Sequence, residues 1–369
     1  MKKMTEREKD IYSLIKARPT ITRKDIAKKL DISESAVGTH LHNLSNKGYL
    51  LGRGYITAPE EEIIVIGGSN IDIKGHSEKY FEKTSNPGII KESLGGVGRN
   101  IAENLGHLGR KLILLTAVGD DHFAQKIIKE TSAAGVNMDY IKRVDNEKTG
   151  LYLAHLDSRG DLIGAISDMN VLKYINRDYL YKRRKIIDRA SILVFDSNIS
   201  KEAIEYLLNR KKDKKGITVV ETVSLDKSKK LIEHLDLIDY ITPNISEAEA
   251  LLKLEIAENI SLSQRLSNIK KEYRQNSSLP VMIISCGSKG VYLLTDKKEE
   301  FIEADLLDES EIVETTGAGD ALAAGIVDGL ARGEDLEKSI KYAIKIASLT
   351  IKSSFTVNPD ILELLTREK

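Results

Sequence analysis

The stretch Ile312-Val313-Glu314-Thr315-Thr316-Gly317-Ala318-Gly319-Asp320-Ala321-Leu322-Ala323-Ala324-Gly325 constrains this chain more than any other. Its first half reads as a loop after a strand, and its second half as a helix rich in Ala and Leu that opens on small residues. Gly317, Ala318 and Gly319 leave little side chain over the helix entrance, so backbone N–H groups there can face a ligand. The first N–H groups of a helix lack intrahelical acceptors and sit at the positive end of its dipole. That makes the entrance a site for an anion such as a phosphate. Asp320 stands at its mouth, where a carboxylate can take a proton from an attacking hydroxyl. Taken alone, the string also reads as a plain turn with Asp320 as a cap. The rest of the chain decides between the two.

Ile63-Ile64-Val65-Ile66-Gly67-Gly68 is a wholly apolar strand ending in glycine, as at the opening of a doubly wound sheet. Ser69-Asn70-Ile71-Asp72 follows at its C-terminal end, where open α/β sheets hold their ligands. Asn70 and Asp72 flank Ile71 and can point into one crevice, where an Asp suits sugar hydroxyls; an Asx turn is the plain alternative. Lys74 to Glu92 reads as polar and irregular. In Ser93-Leu94-Gly95-Gly96-Val97-Gly98-Arg99-Asn100-Ile101-Ala102-Glu103-Asn104-Leu105, glycines lead into a helix and let backbone approach a ligand closely. Thr149 to Ser167 alternates polar and apolar residues around Gly160, as a hairpin does. Ile192–Phe195 and Thr218–Val220 are apolar strands separated by a helix around Ile204–Leu208, and Val281–Ile284 is a further buried strand.

Thr315-Thr316-Gly317-Ala318-Gly319-Asp320 resembles the C-terminal signature of the ribokinase-like (PfkB-type) carbohydrate kinases, and Ser93 to Leu105 resembles their N-terminal signature, at the separation that family has. Gly95 to Ala102, Gly68 to Gly75, Ser85 to Gly88, Ser167 to Asn170 and Asp196 to Ser200 look like the versions carried by pseudouridine kinases. The resemblance runs from about Ile63 to Pro359. It implies an α/β fold, a ribokinase-like α/β/α sandwich spanning residues 59–369, with a small β lid at about 72–93 and 149–168. The implied reaction moves the γ-phosphate of MgATP to the 5′-hydroxyl of a ribosyl nucleoside, pseudouridine first. Another nucleoside or free ribose is the rival acceptor, and a nucleoside-sensing transcriptional regulator is the rival of another class. Asp320 argues against a pure sensor, which has little need of a base there. By the resemblance Asp320 is the base, and the amides of Gly317, Ala318 and Gly319 form the anion hole. Asn70, Asp72, Gly95, Gly96, Asn100, Asp168 and Asn170 face the substrate. Asn244, Ser285, Gly287, Gly290, Thr316, Gly317, Gly319 and Asn358 face ATP, and Glu247 organises Mg²⁺ through water. The lid strands imply a homodimer contact. The chain departs from the family at two points. Glu314 stands where the family has Asp, beside a monovalent-cation (K⁺) site, and Glu221-Thr222-Val223-Ser224 stands where the subfamily has Asp-Pro-Val-Ser.

The 369 residues carry no net charge, but the balance is uneven: residues 1–58 hold 12 Lys and Arg against 6 Asp and Glu, or +6, leaving −6 on the rest. A basic piece on an acidic body implies two parts with different partners. Thr5 to Ala17 has helical spacing, Thr22 caps a second short helix at Arg23–Leu30, and Ser33 caps a third that Gly48 ends. Tyr49 to Ile56 has strand character around Gly52-Arg53-Gly54. This order resembles a winged helix-turn-helix, which implies duplex DNA as the partner of residues 1–58. Ser35, Thr39, His40 and Asn43 would then lie in the major groove, with Arg53 on the wing. An oligomerisation or docking module is the alternative. Ala58 to Glu62 reads as a linker. The single Cys286 fits a reducing, cytoplasmic setting and strand packing, and neither a signal-peptide core nor a membrane-spanning apolar run is expected. There is no Gly-x-x-x-x-Gly-Lys-Ser/Thr loop, and the seven histidines show no metal-ligand spacing.

Overall fold

The computed structural model describes residues 3–19, 21–51, 63–212, 214–256, 259–276 and 278–367. Apolar runs without polar alternation need cover on both faces, and they form the centre of the body. Among the described residues they build a nine-stranded sheet in the order Glu299–Glu303, Gly290–Leu294, Val281–Ser285, Tyr240–Thr242, Ile217–Glu221, Ile192–Asp196, Ile63–Ile66, Leu112–Leu115, Val136–Asn137. Pairing is parallel from Val281–Ser285 to Val136–Asn137 and antiparallel at the other edge. Successive side chains take opposite faces. Ile64, Ile66, Leu193 and Phe195 pack with Ile204 and Leu208 of helix Lys201–Lys211. Ile63, Val65, Leu112 and Val194 pack with Ile101 and Leu105 of helix Val97–His107 and with Ala323 and Val327 of helix Ala318–Ala331. Three layers result, α/β/α. Strand Ile63–Ile66 lies between Leu112–Leu115, the next sheet strand in the chain, and Ile192–Asp196, which comes later. That reversal of order opens a crevice at the C-terminal ends of the strands.

A four-stranded sheet stands over those ends, in the order Gly88–Gly95, Asn70–Ser77, Gly150–Leu156, Leu162–Asp168. Asn70–Ser77 pairs antiparallel with Gly88–Gly95 and parallel with Gly150–Leu156. The chain then turns at Asp157–Gly160 into Leu162–Asp168, the expected hairpin. Lys74 to Glu92, expected to be irregular, holds most of two strands. No buried apolar run marks them, because Lys74 to His76 are only half-buried and Gly88 to Lys91 are exposed. Leu162–Asp168 is exposed along its whole length.

The N-terminal helices are Glu6–Ala17, Arg23–Leu30 and Glu34–Asn46. Thr22 and Ser33 cap as expected, accepting from the N–H of Asp25 and Ala36. Thr5 and Glu8 form a capping box on the first helix, and Glu8 also takes a 2.5 Å ion pair from Lys47. Ile11, Ile15, Ile26, Val37, Leu41 and Leu44 close a separate core. Ser35 and Thr39 are exposed on the third helix, while His40 and Asn43 are half-buried. Arg53, the rest of the expected wing and the linker Ala58 to Glu62 lie outside the described residues. Tyr49 is buried, and the Arg189 guanidinium of the body lies 4.2 Å from its ring centroid. Among the described residues, no helix is long and apolar enough to cross a membrane.

Candidate active site

The turn into helix Ala318–Ala331 is built around Gly317, whose φ is 91°. A Cβ there would stand 2.1 Å from the Thr356 carbonyl oxygen, so both the left-handed backbone and the close approach call for glycine. Glu314 shapes the turn from within. Its Oε1 accepts from the Thr316 N–H at 3.0 Å and from Thr316 Oγ1 at 2.6 Å. The Val313 and Glu314 amides hold the loop to the Ile351 carbonyl. A Cβ at Gly319 would meet nothing within 4 Å, so the helix entrance is open to a ligand.

Asp320, in the first turn of that helix, is half-buried and held from the first turn of helix Val97–His107, which follows the glycine-rich loop: Asn100 Nδ2 donates to Asp320 Oδ2 at 2.6 Å. Burial pushes Asp320 up to about 7, aided by Asp196 and Asp72 and opposed by the Asn100 bond and Arg99. The loop comes close because Gly96, at φ 98°, lies where a Cβ would stand 2.5 Å from the Gly68 carbonyl oxygen. Two charged residues that sequence reasoning left without a role complete this frame. Asp196 is fully buried; its Oδ2 accepts from the N–H of Gly68 and of Gly98, both at 2.8 Å, and its Oδ1 from the N–H of Asn198 at 2.9 Å. It thereby ties the loop after Ile63–Ile66 to the glycine-rich loop. Its local signals are an Asp closing an apolar strand and its place at the head of the Asp196 to Ser200 stretch of the family resemblance. Arg99 is 2% exposed, pairs with Glu103, and donates to Asn100 Oδ1 at 2.9 and 3.2 Å. Asn100 therefore bridges Arg99 to Asp320, with both ends of its amide engaged.

Asn70 and Asp72 do point the same way, with Asn70 Nδ2 donating to Asp72 Oδ1 at 2.6 Å, and Gly95 lies opposite Asn70 in the sheet. Burial raises the Asp72 carboxyl. Asp168 and Asn170 are exposed at the foot of the same sheet and bond each other at 2.8 Å. On the other side of Asp320, a cleft is lined by Glu221, Asn244, Glu247, Ser285 and Gly319. Asn244 and Glu247 form a capping box on helix Ile245–Leu251, and Glu247 Oε2 also accepts from Thr222 Oγ1 at 2.5 Å. The Glu221 carboxyl accepts from Thr242 Oγ1 and lies well above the usual range, chiefly through burial and also through the charges of Asp320 and Glu247. Val223, in the wall of this cleft, holds φ 65°, a left-handed conformation that costs a β-branched residue about 1–3 kcal/mol. Among the described residues there is no group of three or more His, Cys, Asp or Glu that could hold a metal ion.

The remaining expected nucleotide contacts are less uniform. Ser285 lines the cleft and Gly287 is exposed at the turn beyond it, but Gly290 is buried, where a Cβ would stand 2.1 Å from the Ile302 carbonyl oxygen. Asn358, expected to face ATP, has both ends of its amide engaged within the protein. It is 5% exposed, donates to the Leu349 carbonyl at 3.0 Å and accepts from the Asp360 N–H at 3.0 Å, so it holds its own loop. Cys286 is buried, and burial pushes its thiol up to about 11, in keeping with packing.

Residues 60–362 match the pfkB family carbohydrate kinases, and residues 4–50 match a winged helix-turn-helix DNA-binding family. The chain is 35% identical over 306 residues to the pseudouridine kinase of Escherichia coli (strain K12), covering 82% of this chain and 94% of that one. Over 360 residues it is 31% identical to the "Uncharacterized sugar kinase YeiI" of the same organism, covering 97% of each. A carbohydrate kinase structure from Agrobacterium tumefaciens is 26% identical, with a TM-score of 0.68 over 82% of this chain and 96% of that one. With both signatures folded around one cleft and the match running the length of the body, this chain belongs to the pfkB family of carbohydrate kinases and carries a winged helix-turn-helix at its N-terminus.

Proposed function

We propose that this kinase transfers the γ-phosphoryl group of ATP to the 5′-hydroxyl of a ribosyl nucleoside, with pseudouridine as the preferred acceptor. The observation that carries the reading is the 2.6 Å bond from Asn100 to Asp320, which brings the helix opened by the glycine-rich loop and the open helix entrance onto one carboxylate. Asp320 takes the proton of the attacking hydroxyl, whose oxygen bonds to the γ-phosphorus as the bond to the bridging oxygen breaks and ADP leaves. The amides of Gly317, Ala318 and Gly319 stabilise the charge on the transferring group. Such transfer depends on positioning and charge stabilisation more than on covalent chemistry. Asn70 and Asp72 hold ribose hydroxyls, and the four-stranded sheet covers them as a lid and forms the contact of a homodimer. Ser285, Gly287 and Thr316 lie along the nucleotide.

The cleft fits a hydrated divalent cation. Glu221 and Glu247 face it with Asp320, so three carboxyl groups turn towards one space. When bound with ATP, Mg²⁺ neutralises phosphate charge; Glu247, Asn244 and Glu221 would hold its waters. Pseudouridine is favoured by the 35% identity to a pseudouridine kinase over 82% of the chain. The basic N-terminal module favours a second role in binding duplex DNA. A panel of pseudouridine, uridine, cytidine, inosine and ribose, assayed for ADP release, tests the main reading. Pseudouridine should give the highest kcat/KM, a better acceptor among the others would replace it, and no turnover with any would leave the chain a sensor.

A further inference from the structure

The family resemblance places a monovalent-cation site beside Glu314, and the residues present do not fit one. Lys74, on strand Asn70–Ser77 of the small sheet, reaches across to the turn before the helix entrance. Its Nζ lies 3.1 Å from Glu314 Oε2 and 3.0 Å from Thr316 Oγ1. The other oxygen of Glu314 is taken by the Thr316 N–H and hydroxyl. Both side chains of the pair are largely shielded, at 19% and 32% exposure. A K⁺ ion placed on this carboxylate would meet a fixed like charge at contact distance, a strong repulsion in a half-buried site. The extra methylene of Glu over Asp carries the carboxylate out to the lysine.

We propose that the Lys74 ammonium serves as a built-in monovalent cation, neutralising Glu314 and bracing Thr316, so that this kinase needs no K⁺. An ammonium and K⁺ carry the same single charge at similar size. The difference lies in the tether. Lys74 belongs to the sheet beside Asn70 and Asp72, so the group that steadies the phosphate-binding turn is carried by the element that covers the acceptor. Lys74 is a positioning residue: it acts on the Gly317 turn through Glu314 and Thr316.

The inference rests on the kinase reading, and the test separates the two. Rates with the best acceptor of the panel are measured at constant ionic strength in KCl, NaCl and choline chloride. The wild-type rate should stay within about twofold across the three. Lys74→Met should fall by about tenfold or more in choline chloride, because the anion hole is misplaced, and recover in KCl or methylammonium chloride. The double variant Lys74→Met, Glu314→Asp, which restores the family's acid without the lysine, should be K⁺-activated in the same way. Strong K⁺ activation of the wild type, a full Lys74→Met rate in choline chloride, or a deficit that no cation restores would each overturn the proposal. If no acceptor is turned over, the kinase reading fails and thermal melting decides the cation question by itself. KCl in place of choline chloride should then raise the Tm of Lys74→Met and leave the wild type unchanged, and the reverse pattern refutes the proposal.

Discussion

Asp320, the proposed base, sits in surroundings that favour its acid form. With its carboxyl pushed up to about 7, it is matched to proton transfer near neutrality. The kcat/KM of the free enzyme should therefore rise with pH through an inflection at about 7. Asp320→Asn should lose that inflection and lower kcat by roughly 10²–10⁴-fold with nucleotide binding retained; near wild-type turnover would remove Asp320 from the mechanism. The same shift has a stability consequence of definite sign. A carboxyl raised in the fold keeps its proton there after the unfolded chain has lost it, so stability falls as pH climbs from the ordinary carboxylate range through about 7. Asn abolishes that loss. The variant should melt above the wild type at about pH 8, and the gap should shrink towards about pH 5. The place of Asp320 in the first turn of its helix and the shared direction of Asn70 and Asp72 were legible because each rests on a few neighbouring residues. Lys74, Arg99 and Asp196 were not: Lys74 finds Glu314 240 residues away, and Asp196 finds Gly68 128 residues away. A charge whose partner is that distant leaves no local pattern.

The turn at Gly317 leaves no room for a side chain. Gly317→Ala puts a side chain at φ 91° and a methyl 2.1 Å from the Thr356 carbonyl oxygen, so the backbone must move, at a cost of about 1–3 kcal/mol. A lower Tm should be accompanied by a fall in kcat larger than any change in KM for the nucleoside, because the displaced amides are the ones proposed to hold the transferring phosphoryl group. A variant with unchanged melting and kcat would show that the entrance tolerates a Cβ. Element by element, the sequence was most legible where burial was complete or nearly so. Ile63–Ile66, Ile192–Asp196 and Val281–Ser285 are apolar runs whose type follows from composition alone. The strands at 70–77 and 88–95 were not, since each has solvent along much of its length and draws its pairing from partners elsewhere in the chain. Asn358 shows the same limit: nothing in Thr356-Val357-Asn358-Pro359 tells that both ends of the amide turn inward.

At the scale of the molecule, a module of charge +6 adjoins a body of charge −6. The full-length protein should bind duplex DNA with an affinity that drops as salt rises, since Lys and Arg displace condensed counterions. Gel shifts across several salt concentrations test this, and no binding at low salt would assign the module to protein contacts. The Arg189–Tyr49 contact gives the body a hold on the module. If that hold couples the two, DNA must change nucleoside affinity by the factor by which nucleoside changes DNA affinity. Titrating nucleoside into Asp320→Asn with and without saturating DNA reads that factor, and equal affinities mean no coupling. The two sheets also end very differently. The outer strand Glu299–Glu303 of the large sheet carries Glu299, Glu300 and Glu303, two of them in ion pairs with Lys270 and Lys298. Charge of this kind discourages a foreign strand from adding to a free edge. Leu162–Asp168 has no such guard: it ends the small sheet with Leu162, Ile163 and Ile166 in solvent and no charge before Asp168. Strand-to-strand self-association is thereby discouraged at the edge of the large sheet and left open at the edge of the small one.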